Sequence, residues 1–208
     1  MTDRETRKRV ILAAAIPGVP FDGWTAKLMR SLDDDAGVLF PGGAADLLGF
    51  YLVEADRRMV EALEQVDLPA MKIRQRIAAA IRLRLEQAEP ERETVRRTLA
   101  TLALPGHAGL GLRSLYRTVD AIWRACGDTA TDFNFYTKRG LLAGVYSSTL
   151  LFWLNDGSPG YENTWAFLDR RIEQVMTIQK ARGRFDRLAE RLPDPWPILS
   201  RLRYPTRA

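Results

Sequence analysis

Residues 140–154 read GLLAGVYSSTLLFWL, fifteen positions without a charge, preceded by TDFNFYTKR (131–139) and followed by NDGS (155–158). How this stretch is housed decides the fold. As a helix it extends roughly 22 Å, at about 1.5 Å per residue, whereas a bilayer core needs about 30 Å. Gly140, Gly144, Ser147, Ser148 and Thr149 dilute its hydrophobicity further. A membrane span is therefore excluded as an expectation, and a helix apolar on most sides belongs inside a multi-helix body. Two readings of its interior stay open. Its side chains fill a core, or its small residues at Gly140, Ala143, Gly144 and Ser147 leave room for an apolar ligand.

The rest of the chain repeats the helical period. Ile73, Ile77, Ile81 and Leu85 recur every four residues. Val95, Leu99 and Leu102 mark the next helix. Leu112, Leu115, Tyr116, Val119, Ile122, Trp123 and Cys126 form a long apolar stripe, and Trp165, Leu168, Ile172 and Val175 form another. Gly, Pro, Asp and Asn clusters at AEPE, LPGHAGLG, CGDTATD and NDGSPGYEN break these runs. No segment alternates as a strand does. The expectation is an all-α domain of about nine helices, divided at 1–66, 67–182 and 183–208.

Composition narrows the function. The 208 residues are 46% hydrophobic and 27% charged, with a net charge of +5, as in an ordinary globular protein. One cysteine, Cys126, forbids an internal disulfide and suits a reducing compartment. The N-terminal MTDRETRKRV lacks the apolar core of a secretion signal. These features point to a cytoplasmic, bacterial-type location. Chemistry is scarce. His107 is the sole histidine and lies in a loop. No Cys/His cluster has metal-ligand spacing, and Ser147 and Ser148 have no base nearby in sequence. The expectation is a binding protein without catalytic residues, metal or cofactor.

The first sixty residues, with RETRKRVILAAAI, a helix near Trp24–Leu32, DDDAGVLFPGGAADLL and GFYLVEADRRMVEAL, have the layout of a TetR-type regulator, a helix-turn-helix ahead of a ligand domain. Phosphate contacts supply most of the affinity of such a motif for DNA. Yet Ser31–Asp56 carries no Lys or Arg and six acids: Asp33, Asp34, Asp35, Asp46, Glu54 and Asp56. Such a surface repels a duplex, so no nucleic-acid partner is expected, and a ligand-responsive regulator is the alternative.

The box Asp132–Arg139 (DFNFYTKR), the small-and-apolar helix 140–154 and the run Asp156–Leu168 (DGSPGYENTWAFL) together resemble a ubiquinone-biosynthesis family, coenzyme Q protein nine. The likeness spans roughly Leu68–Gln179. It implies a TetR-like fold without DNA binding, a homodimer, and a pocket for an isoprenoid lipid. It also implies a peripheral contact with the membrane, here the bacterial inner membrane, and delivery of a ubiquinone precursor to the di-iron hydroxylase of that pathway. That hydroxylase needs several carboxylates and histidines on a bundle, so a chain with one histidine is an accessory to it.

Candidate walls of the pocket are Leu115, Val119 and Trp123 on one helix and Leu141, Val145, Leu150 and Trp153 on the next, with Tyr136 or Tyr146 reaching the ring oxygens. Trp165 with Trp153, Leu154 and Tyr161 suggests an aromatic patch for the hydroxylase. A core or dimer-seam role for the Trp165 stripe stays open, and by resemblance Trp165 leans towards the patch.

The C-terminal segment 181–208 carries seven arginines against three acids, nearly the whole excess charge. Phe185, Leu188 and Leu192, then Trp196, Ile198, Leu199 and Leu202, lie among these arginines, the composition of an interfacial membrane helix. Pro193, Pro195, Pro197 and Pro205 interrupt it. Removal of residues 183–208 should abolish co-sedimentation with anionic liposomes. Retained binding would show that the tail is not the membrane contact.

Overall fold

In a computed structural model the backbone is described for residues 3–127 and 133–189, and side chains for 3–127 and 137–177. The described residues form helices and connecting turns, with no strand, as the periodicity requires. Two compact units divide the chain, Met1–Leu168 and Asp169–Ala208. The expected division at residue 66 falls inside the first unit.

The first unit begins with α1 (Asp3–Ala15), the four-residue turn α2 (Val19–Asp22), α3 (Ala26–Arg30) and α4 (Asp35–Leu39), which lead into the long α5 (Ala44–Leu63). Thr25 starts α3, its hydroxyl accepting a hydrogen bond from the Leu28 amide at 3.4 Å, as N-cap threonines do. Gly43 precedes α5 at φ 66°, a conformation that costs other residues a steric clash. Ile11, Leu12, Ala15, Trp24, Leu28, Leu39, Leu47 and Leu48 close a core between α1, α3, α4 and the start of α5.

Next come α6 (Ile73–Glu86), α7 (Arg92–Leu102), α8 (Ala108–Ala125) and α9 (Phe133–Trp153). α10 (Glu162–Ala189) starts in the first unit and runs through residues of the second. α5 packs chiefly on α6 and α8, and α8 on α9. The N-terminal helices are tied to α7 by polar contacts. The Trp24 indole N–H donates to the Thr98 hydroxyl at 2.8 Å, and the Arg97 guanidinium donates to the Pro20 carbonyl at 2.9 Å.

The acidic segment needs one correction. Asp33, Asp34 and Asp46 are exposed and Asp35 is half-buried, but Glu54 and Asp56 are buried and do not belong to that surface. A buried carboxylate must be paired, and both are. Glu54 accepts from Arg9 and Arg57, each at 2.9 Å. Asp56 accepts from Arg117 at 2.9 Å and from the Thr118 hydroxyl at 2.8 Å, with Arg84 at 3.7 Å. Of the remaining acids, Asp35 pairs with Arg7.

No helix among the described residues is long and apolar enough to cross a membrane. α9 is two-faced. Leu142, Val145, Tyr146, Leu150 and Trp153 are buried, whereas Gly140 and Gly144 are exposed, with open space where a side chain would stand. These glycines thin the outer side of the helix and make no room inside.

Candidate ligand cavity

A cavity of about 350 Å³ lies among α5 to α9 within the first unit, near the lower end of the roughly 300–1,000 Å³ typical of small-molecule sites. Each helix gives it a short apolar stretch. α5 supplies Tyr51 and Leu52, and α6 supplies Leu85 with Ala88 just beyond its end. Val95, Leu99 and Leu102 come from α7, Gly111 and Leu115 from α8, and Leu150 and Leu151 from α9. Exposed Ala103 and Leu151, with half-buried Leu99, Leu102 and Leu115, mark its mouth.

Polar groups occupy the buried wall. Arg84, Ser114, Thr118 and Tyr146 line it and are all buried. Thr118 is engaged by Asp56 and by the Ser114 carbonyl, at 2.8 and 3.0 Å. Thr98, also lining, is engaged by Trp24. Ser114 Oγ and Arg84 Nε, by contrast, are buried without a hydrogen-bond partner. Burial pushes the Tyr146 phenol above its ordinary pKa, against the opposing charge of Arg84. Burial and then the charge of Glu91 raise Tyr51. Both phenols therefore stay protonated at neutral pH and can donate.

Of the residues expected to bind lipid, Leu115, Tyr146 and Leu150 line this cavity. Val119, Trp123, Val145 and Trp153 do not. They are buried on the sides of α8 and α9 that pack into the body, where the interior fills with the chain's own side chains. Leu141 is half-buried and also away from the cavity. The Tyr136 side chain lies outside the described residues. The apolar stripe of α8 is narrower than expected, since Leu112 is 70% exposed and Tyr116 45%. The contributions of Arg84 and Ser114 were missed, because a charge or hydroxyl on a helix carries no sequence signal of which way it faces. Arg82 and Arg84 both interrupt the run Ile81–Leu85, and only Arg84 is buried.

The aromatic patch is smaller than expected. Trp153 is fully buried and Leu154 is 4% exposed, so neither presents a surface. What remains is Tyr161 and Trp165, rings edge-to-face at 6.5 Å, with the Arg82 guanidinium over the Trp165 ring at 4.8 Å. The Trp165 indole N–H donates to the Gly160 carbonyl at 2.8 Å. Asp156 builds the turn that holds this pair. Its carboxylate accepts from the Thr164 hydroxyl at 2.6 Å, the Thr164 amide at 2.9 Å and the Ser158 amide at 2.9 Å. The Thr164 hydroxyl above all, helped by Ser158, holds the Asp156 carboxyl well below the usual carboxylate range, against the cost of burial.

Tail residues Leu192, Trp196, Ile198, Leu199 and Leu202, and the side chains of Phe185 and Leu188, lie outside the described residues. His107 sits at the start of α8. Among the described residues no group of three or more His, Cys, Asp or Glu could hold a metal ion.

Residues 108–179, which hold α8, α9 and the start of α10, match the family model described as COQ9. The chain is 34% identical over 192 residues to the rat ubiquinone biosynthesis protein COQ9, mitochondrial, covering 85% of this chain and 62% of that protein. It is 33% identical to the human protein of that name, over 81% of this chain and 57% of the other, and 32% identical to the Drosophila one. The chain thus spans about three fifths of the length of the curated relatives it matches. In fold it is similar to a TetR transcriptional regulator from Nitrosomonas europaea, with TM-score 0.66 and 19% identity, covering 81% of this chain and 97% of the other.

The Asp156 turn has a pH signature. A carboxyl whose pKa falls on folding adds stability above its unfolded value, close to the ordinary 3.8, and loses it as pH falls through that value towards the folded one. Asp156→Asn should therefore lower the Tm at pH 7. The gap between variant and wild type should narrow progressively below about pH 4. A gap independent of pH would show that the charge is not what the turn uses.

Proposed function

The chain belongs to the COQ9 family and has the TetR-like all-α fold, and on that footing we propose that it serves ubiquinone biosynthesis as a non-enzymatic lipid-binding protein. In this reading it takes an isoprenoid quinone precursor from a membrane surface and presents it to the di-iron demethoxyubiquinone hydroxylase. The observation that carries the reading is the cavity, largely apolar and bordered by α8 and α9, the helices inside the family match. A polyprenyl tail is insoluble because every exposed CH₂ costs about 0.8 kcal/mol, so a carrier must replace water with apolar wall. A cavity of about 350 Å³ takes a ring and the first part of a tail, and the rest of a long chain leaves through the mouth.

The other parts follow from the surface. Half-buried Tyr161 and Trp165, with Arg82, are the docking patch for the hydroxylase, since Trp, Tyr and Arg are the usual anchors of such contacts. The thin outer face of α9 suits close approach of a second copy, giving a homodimer. The basic tail is the peripheral contact with an anionic inner membrane. A ligand-responsive regulator, which the fold alone would allow, suits the chain poorly, because exposed Asp33, Asp34 and Asp46 crowd the segment that would meet phosphates.

Mass spectrometry of organic extracts from the purified chain should find an isoprenoid quinone or its precursor. Leu115→Trp, which narrows the mouth, should reduce its amount severalfold, and extracts free of isoprenoid would remove the carrier reading. Trp165→Lys should weaken binding to the hydroxylase at least tenfold with the Tm unchanged. Loss of the dimer with the hydroxylase contact intact would instead assign Trp165 to the seam.

A further inference from the structure

The cavity is asymmetric in a way that a simple grease-holding pocket need not be. Among its lining residues, Ser114 and Arg84 are 4% and 7% exposed and each keeps one polar atom without a hydrogen-bond partner. Buried polar groups are nearly always bonded, and those that are not call for an explanation. Both belong to one cluster. Thr118, one turn from Ser114 on α8, donates to Asp56, and Asp56 stands 3.7 Å from Arg84 Nε. That separation attracts the two charges but is too long for a hydrogen bond, so the Nε–H remains to be given. Buried Tyr146 also lines the cavity and feels the charges of Arg84 and Asp56. A donor that can only donate, with a hydroxyl and a phenol that can do so, thus meets at the buried wall, while leucines and Ala103 mark the mouth.

We infer that this cluster is a head-group site for neutral acceptor oxygens, the carbonyls of a benzoquinone-type ring, which enters first while the isoprenoid tail trails through the mouth. The inference rests on the carrier reading and goes beyond it in naming the residues that select the ring and the chemistry they select for. A neutral acceptor suits the site better than an anion. Asp56 already places a carboxylate beside Arg84, and a second full charge in a buried space has a large desolvation cost. The ring oxygens complete Arg84 Nε and Ser114 Oγ, which the protein leaves unbonded. A hydrocarbon of the same length leaves them unsatisfied, and discrimination by unpaired buried groups is strong.

The test compares two probes on the full chain by equilibrium binding: a farnesyl-substituted benzoquinone, and farnesene, the same tail without ring oxygens. The wild-type chain should prefer the quinone by about tenfold or more, the scale of one hydrogen bond to a charged group. Ser114→Ala removes a hydroxyl with no partner in the protein, so the ligand-free Tm should hold or rise. The preference should nevertheless fall severalfold, with farnesene affinity within about twofold of wild type. Arg84→Met should lower the preference further. Because it also exposes Asp56 to a lost partner and can impair folding, the Ser114 variant decides. An unchanged preference in Ser114→Ala would overturn the head-group site and leave the carrier reading intact, as when these groups serve only an ordered water. Binding of neither probe by the wild-type chain would overturn both.

Discussion

A single buried carboxylate organises the helices around the cavity. Asp56 sits inside α5 and draws Arg117 and Thr118 of α8 and Arg84 of α6 towards it. Three helices from distant parts of the chain are fixed by one charge. Removing one partner of such a buried pair typically costs about 3–5 kcal/mol, because the remaining charge is stranded. Apolar side chains could have filled the same space, and replacements of that kind are often neutral or stabilising. What apolar filling would not provide is a polar wall with bonds left over. The network joins α5, α6 and α8, and its Arg84 and Thr118 line the cavity.

The N-terminal helices are tied into the first unit by polar contacts. Trp24 and Arg97 join the first helices to α7, and Arg9 is spent on buried Glu54. Lys8 stands over the Phe40 and Phe50 rings at 5.6 and 5.4 Å. Arg9 and Lys8 thus brace α1 against α5 and the end of α4. The N-terminal helices act as a lid of the first unit's core, tied to the helix that forms one cavity wall.

α9 shows how a nearly uncharged segment is housed in a helical domain. Leu142, Val145, Tyr146, Leu150 and Trp153 turn inwards, Leu151 and Phe152 stay exposed, and the glycines stand on the open side, where they offer little surface to water. Thr149 is buried but satisfied, its hydroxyl donating to the Val145 carbonyl at 2.7 Å. Beyond its end Arg92 donates to the Trp153 and Asp156 carbonyls at 2.7 and 2.6 Å. The last carbonyls of a helix have no partner of their own, and a guanidinium from α7 supplies it.

The sequence by itself determined the helical class, the exclusion of a membrane span, the poverty of catalytic groups and the family box around α9, since periodicity, length and composition are local properties. Three of the expected pocket walls, Leu115, Tyr146 and Leu150, line the cavity. Only the tertiary structure decided that Val119, Trp123, Val145 and Trp153 are packing, that Leu154 is buried, and that Glu54 and Asp56 lie inside. The physical reason is common to all of these. A helical stripe says that a face is buried, but whether neighbouring helices meet there or stand apart depends on their crossing and on long-range polar pairs. Asp56 and Arg84 are 28 positions apart in the sequence, and nothing local in either announces the other.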